Sequence, residues 1–370
     1  MPVARTWAYF DHAAVAPLPE ATRAAITRWL TEATEQGDTR WPEWSRLAEE
    51  TRAAAAQLVG AKPDEIALVP NTSAGINLVA EGFPWREGDN VVLPANEFPS
   101  NQYPWMNLAA QGVECRRVPV PGVQLNLDEL FATCDERTRL ISVSWVGYAT
   151  GWRLEVDELV ERAHQRGILV FLDAIQGLGV FPLDVRRTPV DFLAADGHKW
   201  LLGPEGAGVF FVRGEHLDLL RPQSLGWHSV AHAHDFRTIE LTLKPSAARF
   251  EGGSQNMAGC IGLGASLGAL AAFGAGPTSN VLADRVLQIT DLACDRLAAA
   301  GAKIISSRIG HERSGIVSFE WPGHDPLAVK RRCLEAGVVV TVRSGWLRLS
   351  AHGYCNEADI ERLISALPPN

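Results

Sequence analysis

A chain of 370 residues with 46% apolar content is long enough for two domains and a large buried core. Its 34 basic and 43 acidic residues give a formal charge of −9, which argues against nucleic acid or an anionic membrane as partner, because both select basic surfaces. Charged residues at 21%, with 33 Gly and 22 Pro, exclude wholesale disorder and collagen-like repeats.

In chain order, amphipathic stretches at Glu20–Glu35 and Glu43–Leu58 predict two helices ahead of a first strand at Ile66–Val69. Helices follow at Ala74–Glu81, Gln102–Gln111 and Val156–Gln165, interleaved with strands at Val91–Leu93, Leu140–Ser144, Ile168–Asp173, Phe192–Ala195 and Gly208–Val212. Strands separated by helices predict an α/β layer with a mostly parallel sheet. The unbroken apolar run Ile168–Leu172 suits a strand buried on both faces. Beyond Gly252 the pattern changes to a Gly/Ala-rich helix, Met257–Phe273, and a break at Gly274–Pro277. A helix (Val281–Ala300), strands (Ile304–Ser306, Gly315–Glu320), a helix (Pro326–Ala336), strands (Val338–Val342, Trp346–Leu349) and a last helix (Glu357–Leu367) then predict a smaller α+β domain.

The six cysteines (115, 134, 260, 294, 333, 355) are scattered with no CxxC pair, as expected of free thiols in a reducing cytosol. No window approaches the ~20 consecutive apolar residues of a membrane span. Met1–Phe10 carries no apolar segment of signal-peptide length, so the expected location is cytoplasmic.

Lysine is scarce, occurring only at 62, 199, 244, 303 and 330, so each setting is informative. Lys199 sits in Asp196-Gly-His-Lys-Trp-Leu-Leu-Gly203, between an apolar strand and a Gly-rich segment. A partly desolvated lysine has the lowered pKa that a Schiff-base lysine needs, while a snorkelling lysine fits the same context equally well. Asp173 ends the run Ile168–Leu172, at a strand's C-terminal end where α/β folds gather ligands. An acid there can hold a ring nitrogen cationic, or simply cap a turn. Thr72 and Ser73 open a helix and could bind an anion, although an N-cap explains an isolated Thr-Ser better.

Taken together, Asn71-Thr-Ser-Ala-Gly-Ile-Asn77, Glu97-Phe-Pro-Ser-Asn-Gln-Tyr-Pro-Trp105, Asp173-Ala-Ile-Gln176, Asp196-Gly-His-Lys199 and Glu251-Gly-Gly-Ser-Gln-Asn256 resemble the class V aminotransferases in order and spacing. This branch of the fold-type I pyridoxal-phosphate enzymes includes cysteine desulfurases, isopenicillin-N-epimerase-like proteins and kynureninases. Tyr9-Phe-Asp-His-Ala-Ala14 and Leu347-Arg-Leu-Ser-Ala-His-Gly-Tyr354 resemble the family's two ends. The resemblance implies a mostly parallel seven-stranded sheet between helices in a large cofactor-binding domain (19–255). A segment near the site (1–18), a connecting helix (256–277) and a small α+β domain (278–370) complete the expected layout.

The resemblance also assigns roles. Lys199 is similar to the lysine that binds pyridoxal 5'-phosphate and then moves the Cα proton. His198, Thr72 and Ser73 match phosphate ligands, Asp173 the partner of the pyridine nitrogen, and Gln176 a donor to the ring's 3-oxygen. Phe98 falls where an aromatic or His stacks on the ring. Ser254 matches a hydroxyl given to the neighbouring subunit's phosphate, implying a homodimer. Arg348, with Arg343 as a second candidate, matches the arginine that grips the carboxylate of an amino acid or amine substrate.

Two other patterns are discounted. Gly264-Ala-Ser-Leu-Gly268 satisfies GxSxG, but a nucleophile elbow needs a strand before it and a helix after it, and this stretch lies within one helical run. His228, His232 and His234 have clustered spacings, yet only Asp235 stands ready to complete a metal site, so a polar loop is expected and no metal. No phosphate-binding GxxxxGK[ST] is present.

For the reaction, a desulfurase needs a mobile cysteine, which relatives carry on a loop before the terminal arginine. Here Arg343-Ser-Gly-Trp-Leu-Arg348 has neither the length nor a Cys. Transamination is therefore the first expectation, since it requires only Lys199, the ring and a carboxylate clamp. A cysteine-independent C–S or C–C lyase or an epimerase comes next. A persulfide-forming desulfurase, or a binding protein that has lost catalysis, comes last.

Overall fold

The computed structural model describes residues 1–369. In chain order its first part contains β1 (Ala8–Tyr9), α1 (Glu20–Gln36), α2 (Trp41–Val59), β2 (Ile66–Val69), α3 (Thr72–Gly82), β3 (Asn90–Pro94), α4 (Tyr103–Asn107), β4 (Glu114–Val118), α5 (Leu127–Thr133), β5 (Thr138–Ser144), α6 (Val156–His164), β6 (Leu169–Asp173), β7 (Phe192–Asp196) and β8 (Gly208–Val212). Seven strands form one sheet in the order β2-β8-β7-β6-β5-β3-β4. Only β8 runs against the rest, pairing antiparallel with both β2 and β7. Strands β3, β7 and β8 are buried along their whole length, which explains their unalternated apolar sequences.

All six strands expected in this part of the sequence form. The edge strand β4 was not expected, because Glu114-Cys-Arg-Arg-Val118 has an exposed face and a charged composition. The expected helix at 102–111 is instead α4 followed by a tighter 3₁₀ turn, Leu108–Gln111. Pro104 at the start of α4 suits the first helical turn.

The second part contains α7 (Met257–Ala272), α8 (Val281–Ala299), β9 (Lys303–Ile304), β10 (Ile316–Glu320), α9 (Pro326–Glu335), β11 (Val338–Val339), β12 (Thr341–Arg343), β13 (Trp346–Ser350) and α10 (Glu357–Ala366). Helix α7 is apolar on all sides because it packs against α1 and α2. A Cβ on Gly264 would stand 2.2 Å from Thr51 Oγ1, so only glycine permits the α2–α7 approach. Ser266, the serine of the GxSxG pattern, lies mid-helix and donates to Leu202 O at 2.7 Å, spending its hydroxyl on packing.

A four-stranded antiparallel sheet, β12-β13-β10-β9, carries a separate core built around Phe319, Leu347 and Leu349. The stretch 338–342, expected as one strand, divides: β11 pairs in parallel with β1, while β12 pairs with β13. Arg343 and Trp346 face each other across a turn of only Ser344 and Gly345, with φ of +50° and +84°. Two central residues with positive φ make a tight hairpin that matches the strand twist. Among the described residues, no helix is long and apolar enough to cross a membrane.

Candidate active site

The C-terminal ends of the parallel strands converge on one point, as open α/β sheets require. β2 leads into α3, whose cap residue Asn71 accepts the Ala74 N–H at 2.8 Å. β3 leads to Phe98, β5 to Tyr148, β6 to Asp173 and β7 to Asp196, His198 and Lys199. Together with Arg343 and Arg348 from the antiparallel sheet, and Ala13–Val15 from the segment after β1, these residues line a cavity of about 310 Å³. Every expected site residue faces it except Ser254. That serine is exposed and lines a separate cavity of about 460 Å³ with Asn77 and Gln223.

Lys199 is 9% exposed, whereas Lys62 and Lys303 are exposed and Lys244 and Lys330 half-buried. Burial lowers its pKa to about 8, against the opposing pull of the Asp173 carboxylate. Its Nζ stands 5.6 Å from the centre of the Phe98 ring. The following turn holds Leu202 at φ +55°, a left-handed conformation that costs a branched residue roughly 1 kcal/mol. Bonds from Leu202 N to Lys199 O (3.1 Å) and from Gly203 N to Gly197 O (2.7 Å) hold that turn in place. The Lys199 backbone is thus fixed independently of any ligand.

Asp173 is 2% exposed, and burial raises its carboxyl to about pH 6 although the Ile175 N–H (3.1 Å) and Lys199 oppose the shift. Gln176 has a determined orientation. Its Oε1 accepts the Trp200 indole N–H at 2.8 Å, and its Nε2 donates to Ala13 O at 3.0 Å. An amide nitrogen carries two protons, so one N–H remains for the cavity.

Several buried polar atoms facing this site have no partner: Thr72 Oγ1, His198 Nδ1, Asp196 Oδ1 and Arg348 Nε. His198 Nδ1 does lie 3.1 Å from Asp196 Oδ1, but the alignment is too poor for a hydrogen bond. Ser73 Oγ and Ser100 Oγ lie 2.8 Å apart beside Thr72. Arg348, 1% exposed, donates from Nη1 to Tyr148 O (2.7 Å) and from Nη2 to Asp11 Oδ1 (3.3 Å). Of the five N–H bonds of its guanidinium, three remain for a bidentate ligand. Arg343 is half-buried and donates to Val342 O at 3.0 Å.

The donor set fits pyridoxal phosphate. A helix start with an orphaned hydroxyl and an adjacent histidine suits the phosphate. A buried carboxyl suits the ring nitrogen, an apolar ring face lies beside a buried amine, and a free amide N–H suits the 3-oxygen.

Three contributors went unread in the sequence. Glu97 is fully buried, and burial, aided by the Asp173 charge, raises it to about 7; Ser144 N donates to its Oε1 at 2.7 Å and Ser144 Oγ donates to Oε2. Tyr148 sits edge-on to Phe98 with ring centres 5.3 Å apart. Arg52 forms a buried bidentate pair with Glu251, whose Oε1 also accepts Leu68 N at 2.7 Å, fixing the start of the segment that carries Ser254. The 251–256 motif signalled that segment but not its arginine anchor.

The histidine cluster does not converge: His228 and His234 each pack edge-on against Trp227, and His228 Nδ1 lies 3.2 Å from Glu251 O. Among the described residues, no three metal-ligating groups come together.

The Asp173 shift has a measurable consequence. The carboxyl binds its proton near pH 6 when folded and near 3.8 when unfolded, so its stabilising contribution is full below 3.8 and is lost as pH rises through 6. Asp173→Asn removes that loss. It is expected to stabilise the cofactor-free protein at pH 7.5 by on the order of 2–3 kcal/mol, with the gain shrinking towards pH 4.5. Urea unfolding at both pH values reads this; an unchanged midpoint at pH 7.5 contradicts it.

The comparisons agree with this geometry. The family model "Aminotransferase class-V" matches residues 8–363. A probable cysteine desulfurase of Methanothermobacter thermautotrophicus is 35% identical over 274 residues, covering 72% of this chain and 67% of that one. A cysteine desulfurase of Escherichia coli O127:H6 is 31% identical, covering 97% of this chain and 92% of the other. Among solved structures, the cysteine desulfurase of Thermococcus onnurineus NA1 superposes with a TM-score of 0.87 at 25% identity, over 99% and 94% of the two chains. The cystine C–S lyase C-DES superposes at 0.91 with 24% identity over 98% of each, and a mutant of it carries glycine covalently linked to its pyridoxal-phosphate cofactor. The chain belongs to the class-V aminotransferase family of fold-type I pyridoxal-phosphate enzymes.

Proposed function

We propose that the protein is a pyridoxal-phosphate-dependent C–S lyase that acts on a sulfur amino acid and forms no persulfide on itself. The named relatives support a cysteine-like substrate, which moves the reading away from transamination, the first expectation from the sequence. The observation that carries the rest is the Ser344–Gly345 turn. A two-residue hairpin between β12 and β13 has no length for a mobile thiol. The cysteines support the same reading: Cys260, Cys294, Cys333 and Cys355 are buried, and burial raises every cysteine thiol pKa, opposing the thiolate that sulfur transfer needs.

When bound, the cofactor supplies a conjugated ring that takes up the electron pair left at Cα. Asp173 keeps the ring nitrogen cationic, and Thr72, Ser73 and His198 hold the phosphate. Arg348 orients the substrate carboxylate, with Arg343 beside it. Lys199 takes the Cα proton and can return it to the departing sulfur. The Cα–H and Cβ–S bonds break, and hydrolysis balances the products: cysteine and water give sulfide, pyruvate and ammonium. A homodimer in which exposed Ser254 reaches the partner subunit's phosphate belongs to the same proposal, supported by the position of Ser254 outside its own cavity.

The test supplies L-cysteine to the holoenzyme and measures sulfide, pyruvate, ammonium, alanine and protein-bound persulfide. Sulfide and pyruvate in equal amounts, with neither alanine nor persulfide, are expected. Persulfide on Cys333 or Cys355 with alanine as product overturns the proposal in favour of a desulfurase. Conversion to the pyridoxamine form without sulfide overturns it in favour of an aminotransferase.

A further inference from the structure

Beside the cavity that holds Lys199 lies a second one, of about 340 Å³. Tyr148 lines both. Phe98 and Arg343 face the first, while their chain neighbours Glu97 and Ser344 face the second, so the two spaces lie back to back. The Tyr148 backbone is fixed by Arg348 Nη1 at 2.7 Å, but its half-buried side chain touches Phe98 only edge-on. Rotation of that side chain moves the wall without moving the arginine.

The second cavity is aromatic and lacks cations. Trp152 and Trp346 line it, and no Lys, Arg or His is among its lining residues. Its only carboxyl is Glu97, whose two oxygens already accept hydrogen bonds from Ser144. An anionic substituent, such as the second carboxylate of cystine, would therefore enter without a counter-charge and at a desolvation cost. The sulfur-bound hydrogen of cysteine needs no such space.

We propose that this cavity receives the group carried on the substrate's sulfur, and that this group is bulky and uncharged, as in an S-alkyl- or S-arylmethyl-cysteine. The inference rests on the C–S lyase reading. The Cβ–S bond breaks, the sulfur leaves as a thiol with the proton taken from Cα, and the three-carbon remainder takes up water to give pyruvate and ammonium.

The experiment has two readouts. Calorimetry on the holoenzyme compares α-methylcysteine with S-benzyl-α-methylcysteine, which lack a Cα proton and cannot be turned over. Pyruvate release compares L-cysteine, S-benzyl-L-cysteine and L-cystine. The S-benzyl compounds are expected to bind and react at least tenfold better than the parent amino acid or cystine. Trp346→Ala should reduce that advantage roughly three- to tenfold, the worth of one aromatic contact. Gly122→Trp, whose added side chain starts in open space on the cavity's lining, should erase it and leave cysteine within about twofold of wild type.

Equal binding of the two α-methyl ligands to wild type overturns the proposal. So does a loss in the variants that is shared equally by cysteine. A tenfold binding advantage without thiol or pyruvate release upholds the cavity's role and removes the lyase reading. Pyruvate from cysteine without any S-benzyl advantage does the reverse.

Discussion

Lys199→Ala is expected to lower kcat by roughly 10²- to 10⁴-fold, the range associated with loss of a positioned acid–base group. The same change should leave a cofactor that borohydride no longer fixes to the chain. Lys244→Ala and Lys303→Ala, which alter half-buried and exposed lysines, should keep both properties. The wild-type reaction with free cofactor carries a pH signature. The Lys199 pKa is lowered to about 8, and only the neutral amine is nucleophilic. Covalent loading of the cofactor-free protein should therefore rise with pH up to about 8 and level off above it, instead of rising to the ordinary lysine range. Stopped-flow absorbance measures this directly. Loading that keeps climbing to pH 10, or borohydride labelling of another lysine, contradicts the assignment.

Arg348→Met should raise KM for the amino acid roughly 10²-fold or more while leaving the visible spectrum of the bound cofactor in place, since the guanidinium holds substrate carboxylate and not ring. Arg348→Lys should not restore it. An ammonium at that depth offers no planar fork, and it cannot serve Tyr148 O, Asp11 and a carboxylate in the same geometry. Removing the arginine also strands Asp11, so thermal unfolding run alongside separates lost binding from lost structure. A KM unchanged in the folded Met variant would move the carboxylate clamp to Arg343.

Much of the site was readable because its chemistry ties residue type to place. A lysine after a buried strand, an acid ending another and hydroxyls opening a helix are local patterns, and the fold brings them together at the strand tips. Residues whose part depends on long-range packing gave no such signal. Nothing around Tyr148 suggests that it divides two cavities, because its partners Phe98 and Arg348 lie 50 and 200 positions away in sequence. Gln176 was legible as a polar residue near Asp173, but its orientation comes from Trp200 and from the carbonyl of Ala13. The sheet shows the same division. Buried strands advertise themselves by apolar runs, whereas β4 hides at an edge, and the 338–342 run splits because one half finds β1 and the other β13.

The segment after β1 is tied at both ends to distant chain. Ala8 and Tyr9 pair with Val338 and Val339; His12 Nδ1 lies 2.9 Å from Ser350 O and its Nε2 2.9 Å from Tyr354 Oη. Ala16 N then donates to His198 O at 2.7 Å, so Ala13–Val15 become a wall of the cavity only once those anchors exist. On the ribosome, residues 8–16 emerge long before residues 338–354, the partners that hold them. The large sheet can form while synthesis continues, but the cofactor pocket closes only after residues 338–354 have been made. Loading with pyridoxal phosphate is thereby placed after synthesis of the last of those anchors, Tyr354.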